Sequence, residues 1–233
     1  MDMIEQFVVN INGIEHFKQL ECFMEEISPE RRKVIEKYVF EKNKIQSMIA
    51  ELLLRYILRT QYGMNQEEIE FEYSEYGKPF LKGRYKQICF NLSHSGDFVV
   101  CSVGTSNMGI DVERLKKDKI SFARRVLSEE EKQVWERKGI DEQIRMFYRL
   151  WTLKESYSKY VGKGLTIPFE TLSFKQEGKE VNFRVDNRED HSCYFCVNEL
   201  ADDYYMALCT DRCQKENVLT IPKHIRWEDL LVL

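Results

Sequence analysis

Two carboxylates in one short segment are the first residues in this sequence that could do chemistry. Asp111 and Glu113 flank Val112 in the segment NMGIDVER, which otherwise has the pattern of a buried strand. On a strand both side chains point to one face, roughly 6 to 7 Å apart, while the residues between and before them point to the core. This geometry suits a shared cation, because charge among apolar neighbours needs compensation. The alternative is an exposed acidic pair bridged to Arg114 or Lys116.

A third carboxylate lies on a helical pattern later in the chain. Residues 144–165 place Glu155 in the middle of an apolar stripe, with Lys159 one turn later. The stripe consists of Ile144, Phe147, Tyr148 and Trp151. A simple i, i+4 salt bridge would explain Glu155 and Lys159. An exposed pair, however, would not have to lie on the buried face of the helix. We therefore expect Glu155 to complete the site of Asp111 and Glu113.

The three carboxylates favour a hard, oxygen-seeking ion such as Mg²⁺, with Mn²⁺ as an alternative. Mg²⁺ usually retains several waters and takes further ligands from substrate phosphates. Positive side chains that could meet such phosphates occur at turns and helix ends, where anions approach easily. They are Lys159, Lys163 in GKG and Lys78 in GKP. Together these residues predict a site for a metal and a phosphorylated ligand.

The segment FNLSHSG, residues 90–96, brings a hydroxyl and an imidazole into one turn. Ser93 and His94 are adjacent, but neighbours on a strand diverge and the Gly-x-Ser-x-Gly pattern is absent, which argues against a serine hydrolase. We favour contact between this turn and a phosphorylated ligand. A turn that is merely capped is the alternative.

The composition excludes several classes of protein. The chain has 233 residues, of which 43% are hydrophobic and 32% charged, with only 4 prolines, so disorder is not expected. A formal net charge of -4 argues against nonspecific binding to nucleic acid or to an anionic membrane. No apolar run approaches the ~20 residues of a membrane helix, and the N-terminus lacks the pattern of a signal peptide. We expect a cytoplasmic protein.

The 7 cysteines predict reduced thiols rather than disulfides or zinc ligands. Cys193 and Cys196, with Cys209 and Cys213, have a spacing that could suggest zinc. The first pair lies in a strand pattern, where residues three apart face opposite ways, and no tight glycine turn separates them. Core packing is the interpretation we favour.

The order of elements predicts an α+β fold of two similar halves. Ser28 and Pro29 begin a helical pattern that can end at Gly63, with an irregularity near residues 41–44. Strand patterns follow at IEFEYS, KQICFNLS, FVVCSVG and GIDVE. The second half repeats this order: a capping box of Ser128 and Glu131 opens a helical region that runs, with a break at Gly139, to about residue 161. Four more strand patterns follow. We expect two pseudo-duplicated halves, residues 1–105 and 106–233, with a composite site between them.

Taken together, these motifs resemble the 4'-phosphopantetheinyl transferases of the surfactin-synthetase-activating type. The resemblance rests on GKP at residues 77–79, FNLSHS at residues 90–95, GIDVE at residues 109–113, and WTLKES at residues 151–156, which continues to Lys159 and GKG. Each motif alone is moderate evidence. Four of them in the right order and spacing are highly specific.

The resemblance implies an intramolecular pseudodimer of two α+β halves, a Mg²⁺-dependent enzyme that binds coenzyme A in the cleft between them. The metal would be held by Asp111, Glu113 and Glu155 and would also contact the pyrophosphate of coenzyme A. A serine hydroxyl of an apo carrier protein would attack the β-phosphate, with release of adenosine 3',5'-bisphosphate. Glu155 would be the base, directly or through water, and Lys159 would neutralise the developing phosphate charge. This agrees with the residues, since phosphoryl transfer needs mainly positioning and charge stabilisation.

The resemblance also implies contacts to the nucleotide of coenzyme A in the first half. The expected residues are Arg31, Ser47, Lys78, Pro79, Ser93 and His94, with Lys159 and Lys163 from the second half. The chain departs from the family pattern at Gln46, where an arginine is common, and near Val34, where a second base is common. Lys33, Lys37 or Lys44 would have to substitute for them.

The partner implied by the resemblance is an apo peptidyl, acyl or aryl carrier domain, as in nonribosomal peptide, polyketide or antibiotic biosynthesis. Carrier proteins are acidic around the modified serine, and Phe122, Arg124 and Arg125 offer a complementary surface; a solvated amphipathic connector is the alternative. An internal duplication makes a monomer sufficient. Two other functions are weighed against this one: a noncatalytic module that binds carriers or coenzyme A, and an unrelated Mg²⁺-dependent phosphohydrolase.

Overall fold

The structure is a computed structural model that describes residues 3–178 and 180–231, except for the side chains of residues 118, 119 and 165. Its α-helices are α1 (Pro29–Lys37), α2 (Glu41–Tyr62), α3 (Ala123–Val126), α4 (Glu129–Trp135) and α5 (Ile140–Val161). The strands of the first half are β1 (Glu5–Asn10), β2 (Phe71–Tyr73), β3 (Pro79–Leu81), β4 (Cys89–Ser95) and β5 (Phe98–Gly104). The remaining strands are β6 (Met108–Arg114), β7 (Leu172–Glu177), β8 (Glu180–Val185), β9 (Arg188–Glu189), β10 (Cys193–Ala201), β11 (Tyr204–Asp211) and β12 (Lys223–Arg226).

The capping serine and the glycines that the sequence analysis placed at helix boundaries lie at the ends of helices in the structure. Ser28 caps α1 and its hydroxyl accepts a hydrogen bond from the Arg31 amide at 3.3 Å. The expected irregularity is a break between α1 and α2, just before Glu41. At the end of α2, Gly63 takes the left-handed conformation with φ 62° that glycine adopts at low cost. Gly139 is the N-cap of α5, which begins where a break was expected.

Two larger sheets form the centre of the molecule. One has the order β12-β1-β5-β4 and the other the order β10-β11-β6. Strands β2 and β3 form a small hairpin, and β7, β8 and β9 form a third sheet in the second half. No helix within the described residues is long and apolar enough to cross a membrane.

Alternate residues of the larger sheets face different cores. Phe7 and Val9 of β1 pack against α2 in the core of the first half. Val8 lies in a third core shared by the two sheets, together with Ile110 and Val112 of β6. Helix α5 packs on the other side of β11 in the core of the second half. The prediction that Asp111 and Glu113 point away from their apolar neighbours is therefore confirmed.

The predicted α+β class with two similar halves is confirmed, since each half packs a long helix on antiparallel strands. The C-terminal segment adds a feature that the division at residue 105 did not include. Strand β12 pairs in parallel with β1, and Leu230 is fully buried in the core of the first half. Strand β12 and Leu230 therefore belong to the first half, although they follow residue 105.

The cysteines lie as the strand pattern predicted. All 7 are free. Cys193 and Cys209 belong to the core of the second half, whereas Cys196 lies in the core shared by the sheets, on the opposite face of β10. Their separation onto two faces is incompatible with ligation of one metal by Cys193 and Cys196.

Both halves anchor an N-cap serine on a buried carboxylate. In the first half the Ser28 amide and hydroxyl donate to Glu51 of α2 at 2.6 and 2.9 Å, and Arg55 Nε donates to the same carboxylate at 2.9 Å. In the second half the Ser128 amide donates to Glu131 Oε2 at 2.9 Å, which completes the predicted capping box of α4. The carboxylate comes from the long helix in one half and from the capped helix in the other.

Lys154 of α5 is fully buried and pairs with Glu131. Its ammonium donates to Glu131 Oε2 at 2.6 Å and to three backbone carbonyls. Those carbonyls belong to Val126, Phe169 and Leu172. Burial lowers the pKa of Lys154, and the Glu131 charge opposes this shift. The ion pair thus joins α4, α5 and the segment before β7.

Lys154→Met is expected to lower the free energy of unfolding by about 3–5 kcal/mol, because it leaves the buried Glu131 charge without a partner. Urea unfolding of the purified protein measures this difference. The double variant with Glu131→Gln should recover part of the loss, since no unpaired charge remains. Lys175→Met, at an exposed position of β7, is the control. A loss below about 1 kcal/mol for Lys154→Met, the net value of an ordinary hydrogen bond, would contradict the role of the pair.

Candidate active site

A cleft of about 410 Å³ opens between the two halves. Its lining comes from the start of α1, from α2, β3 and β4 in the first half, and from β6 and α5 in the second. The lining residues are Arg31, Ala50, Pro79, Asn91, Leu92, Ser93, His94, Asp111, Glu113, Glu155 and Lys159. Three carboxylates and two fixed cations therefore face one space.

Strands β4 and β6 belong to different sheets and are joined along this cleft by side chains. Alternate residues of β4 accept hydrogen bonds from alternate backbone amides of β6. Asn91 Oδ1 accepts from Ile110 N at 2.8 Å, Ser93 Oγ from Val112 N at 3.4 Å, and Ser95 Oγ from Arg114 N at 3.1 Å. The constant spacing shows that the two strands run in the same direction. We call these three residues of β4 the seam.

The seam also holds the two acidic side chains of β6. Ser93 Oγ donates to Asp111 Oδ1 at 2.8 Å, and Ser95 Oγ donates to Glu113 Oε2 at 2.9 Å. Trp151 Nε1 of α5 donates to Glu113 Oε1 at 3.0 Å. Each carboxylate is thus oriented by side chains from more than one element.

Asp111 is buried, with 5% of its surface exposed, and Lys159 compensates its charge. Lys159 Nζ donates to Asp111 Oδ1 at 2.7 Å, to Ser93 Oγ at 2.8 Å and to the Ile110 carbonyl at 3.1 Å. Burial raises the pKa of Asp111, and the Lys159 charge opposes this shift. Its second oxygen, Oδ2, is buried and accepts no hydrogen bond from the described residues. An acceptor of this kind fits a cation or a donor supplied by a ligand.

Gly109 allows α5 to approach β6 at this point. A Cβ on residue 109 would overlap the Ser156 carbonyl oxygen and the Tyr160 amide nitrogen. The close approach brings Lys159 within reach of Asp111. The glycine of GIDVE is therefore required by packing.

On the first-half wall, Arg31 is held by α2. Its Nη1 donates to Ser47 Oγ at 3.3 Å, and its Nε pairs with Glu51 Oε2 at 3.4 Å. Ser47 is buried, with 1% exposed, and orients Arg31 from behind. Desolvation in the cleft, followed by the charges of Lys159 and Arg31, lowers the pKa of His94, so its imidazole is neutral at pH 7.

Three of the expected residues do not line the cleft. Ser47 lies behind Arg31, as described. Lys163 is exposed on the loop that follows α5. Lys78 directs its ammonium to backbone carbonyls at the end of α5, 2.8 Å from the Lys159 oxygen. Burial lowers the pKa of Lys78 to about 8, so it remains mostly charged at pH 7.

The two departures from the family pattern have defined positions. Gln46 is buried and donates its side-chain amide to the Gly96 carbonyl at 2.9 Å, so it secures the turn between β4 and β5. Val34 is 40% exposed on α1. Among the lysines considered as substitutes, Lys44 lies 5.8 Å from the centre of the Phe17 ring.

Sequence reasoning missed the roles of Asn91, Ser95 and Trp151. The signal for the first two is the alternation N-x-S-x-S, which places three polar side chains on one face of β4. Trp151 was assigned to an apolar stripe, and the contact of its indole N–H with Glu113 depends on tertiary packing. Glu131 does not line the cleft; its carboxylate accepts hydrogen bonds from the Ser128 amide and from Lys154.

The carboxylates that line the cleft could bind a divalent ion. Among residues 3–178 and 180–231, no group of three histidine, cysteine or acidic side chains is close enough to hold a metal by itself. Mg²⁺ typically needs only one or two carboxylates when phosphates and waters complete its coordination. Asp111 Oδ2 and the neighbouring Glu113 meet this requirement, with Glu155 on the same lining. The residues fit an ion that arrives with a phosphorylated ligand.

Fold and cleft together define a two-half α+β protein with an acidic, lysine-lined site. The family model of the 4'-phosphopantetheinyl transferase superfamily matches residues 107–209, and the model of the N-terminal part of 4'-phosphopantetheinyl transferases matches residues 15–106. The chain belongs to the 4'-phosphopantetheinyl transferase superfamily, as the motifs predicted.

Individual proteins of the family are similar over most of the chain. The 4'-phosphopantetheinyl transferase Sfp of Bacillus subtilis (strain 168) is 32% identical over 214 residues, which cover 91% of this chain and 92% of Sfp. The 4'-phosphopantetheinyl transferase gsp of Aneurinibacillus migulanus is 32% identical over 210 residues, 89% of this chain and 86% of gsp. A solved structure is that of a holo-(acyl-carrier-protein) synthase from Bacillus anthracis str. Ames in complex with CoA (3',5'-ADP). The match covers 46% of this chain and 95% of the synthase chain, with 19% identity and a TM-score of 0.40.

Gly109→Ala is expected to lower the free energy of unfolding by about 1–3 kcal/mol, because backbone atoms of α5 must move away from β6. The midpoint of urea unfolding measures the change. Gly139→Ala is the control, since a Cβ there meets no atom within 4 Å; it should cost only about 0.5–1 kcal/mol, the difference between glycine and alanine at an N-cap. Equal stabilities for the two variants would show that the contact between β6 and α5 is not close at this residue.

Proposed function

We propose that the protein transfers the 4'-phosphopantetheine group of coenzyme A to a serine of an apo carrier protein. The observation that carries the proposal is the cleft in which Asp111, Glu113, Glu155 and Lys159 meet residues of the first half. Similarity to Sfp and gsp over most of each chain supports this activity. In the reaction the serine oxygen bonds to the β-phosphorus of coenzyme A. The bond from that phosphorus to the bridging oxygen breaks, and adenosine 3',5'-bisphosphate leaves.

The residues of the chain supply a base and a positive charge for this transfer. We assign the serine proton to the Glu155 carboxylate, directly or through one water, because Glu155 lines the cleft. Lys159, already held by Asp111 and Ser93, stabilises the negative charge on the phosphate oxygens. Phosphoryl transfer depends mainly on positioning and electrostatic stabilisation, which a fixed ammonium group provides.

Mg²⁺, or Mn²⁺ in its place, would be held by oxygens of Asp111, Glu113 and Glu155. When bound, the ion neutralises charge on the diphosphate. The buried Oδ2 of Asp111, which accepts no hydrogen bond from the described residues, supports this assignment. The serines of the seam keep both β6 carboxylates oriented towards the cleft.

The nucleotide of coenzyme A is assigned to the first half, so that residues 1–105 bind it and residues 106–233 carry the chemistry. Arg31 and His94 face the cleft and are proposed to meet the 3'-phosphate, with Ser47 orienting Arg31. Pro79 and Ser93 belong to the same lining. Lys163, exposed beyond α5, is proposed to attract the phosphates by charge.

The carrier protein is proposed to bind beside α3. Phe122 is 53% exposed, Arg125 is exposed, and Arg124 pairs with Glu136 at 3.0 Å. An apolar side chain flanked by two arginines suits the acidic surface of a peptidyl, acyl or aryl carrier domain. Because both walls of the cleft come from one chain, a monomer is sufficient for the reaction.

Incubation with coenzyme A, Mg²⁺ and a panel of apo carriers should add the mass of one phosphopantetheine group to at least one carrier. Asp111→Ala should lower kcat by roughly 100- to 1000-fold, the range seen when one preorganised electrostatic group is lost. Mass spectrometry of the carrier measures both results. Asp141→Ala, an exposed acid in the first turn of α5, is the matched control.

The outcomes separate the proposal from its alternatives. Binding of coenzyme A or carrier by the wild-type protein without any adduct would favour a noncatalytic binding module. Release of inorganic phosphate without an adduct would favour a phosphohydrolase. Wild-type activity in Asp111→Ala would remove Asp111 from the catalytic site.

A further inference from the structure

We infer that Lys78 is a positioning residue that fixes the last turn of α5, and with it Lys159, from the opposite half of the molecule. This inference rests on the proposed transferase function. It differs from the expectation that Lys78 binds a phosphate of coenzyme A.

The ammonium of Lys78 does not line the cleft, as that of Lys159 does, and is surrounded by acceptors of the second half. An ammonium group has three N–H donors. Lys78 Nζ lies 2.8 Å from the Lys159 carbonyl, 3.0 Å from Asn107 Oδ1 and 3.1 Å from the Met108 carbonyl, with the Tyr160 carbonyl at 3.4 Å. All four acceptors belong to the second half, whereas Lys78 precedes β3 in the first.

Two of these acceptors are carbonyls that α5 leaves without a partner inside the helix. The last four carbonyls of an α-helix have no intrahelical donor, and a cation near them is also favoured by the helix dipole. Gly162 ends α5 in the left-handed conformation, with φ 78°. The Lys159 and Tyr160 carbonyls accept from Lys78, and Asn107 Nδ2 donates to the Tyr160 carbonyl at 2.8 Å. A lysine from one half therefore caps the helix of the other.

Lys78 caps α5 at Lys159, the residue whose side chain lines the cleft. The backbone carbonyl of Lys159 is held by Lys78, while the Lys159 side chain extends to Asp111 and Ser93 in the cleft. On the other side of the cap, Pro79 follows Lys78 directly and lines the same cleft. Lys78 thus sets the spacing between two walls of the site without facing it.

The test compares catalysis with nucleotide affinity in Lys78→Met. Loss of the cap should lower kcat by about 10- to 100-fold, because a displacement of 1 Å at the reacting groups has an effect of this size. The Kd for adenosine 3',5'-bisphosphate, measured by calorimetry, and the KM for coenzyme A should stay within about threefold of wild type. Hydrogen exchange of the amides of residues 158–162 should become faster, a readout that does not require activity. Lys82→Met, in an exposed residue after β3, is the control and should change none of these quantities.

A phosphate ligand would give the opposite pattern. A Kd for adenosine 3',5'-bisphosphate weakened tenfold or more, with kcat unchanged, would overturn the inference, as would unchanged hydrogen exchange in residues 158–162. Lys78→Gln, which keeps two donors without the charge, replaces Lys78→Met if that variant does not fold. Absence of transfer by the wild-type protein would reject the proposed function instead, and the hydrogen-exchange comparison would still test the cap.

Discussion

The buried carboxylate of Asp111 needs compensation, and the two halves provide it together. Ser93 of the first half and Lys159 of the second both donate to Asp111 Oδ1, at 2.8 and 2.7 Å. Burying this charge without such partners would cost several kcal/mol. The same contacts place the ammonium of Lys159 and the remaining oxygen of Asp111 in the cleft. The same two contacts of Asp111 therefore stabilise the interface between the halves and arrange the site.

The two halves hold the N-terminus of a corresponding helix in different ways. Ser28 and Ser128 each begin a helix and each donate their amide to a buried carboxylate. In the second half that carboxylate is Glu131, three residues after the cap, and Lys154 neutralises it. In the first half α2 supplies the carboxylate, so residue 31 can be an arginine that lines the cleft. Arg31 of α1 thus occupies the position that Glu131 has in α4, three residues after the N-cap serine. It adds a positive side chain to the first-half wall of the cleft.

Local features of the structure could be predicted because they depend on neighbouring residues. Alternation in GIDVE gave the direction of Asp111, and the cap at Ser28 and the glycine at residue 63 gave the helix ends. Motif spacing predicted that Asp111, Glu113, Glu155 and Lys159 would share a site, and they line one cleft.

Long-range features could not be predicted in this way. The return of β12 to β1 joins residues more than two hundred positions apart, and nothing in KHIR specifies that partner. A lysine beside a turn has the same pattern whether it binds a phosphate or caps a distant helix, which is why the position of the Lys78 ammonium was not foreseen. The hydrogen bonds of Ser93 and Ser95 to the carboxylates of β6 also depend on how the two sheets meet, which the segment FNLSHS does not specify.

Strands β4 and β6 and helix α5 are proposed to form one diphosphate site between the halves. A crystal structure of the protein with coenzyme A and Mg²⁺ would locate the diphosphate. We expect its density beside Lys159, with the ion bound to carboxylate oxygens of Asp111 and Glu113. Density for the diphosphate on another surface, with the contact between Lys159 and Asp111 unchanged and the cleft without ligand, would contradict this proposal.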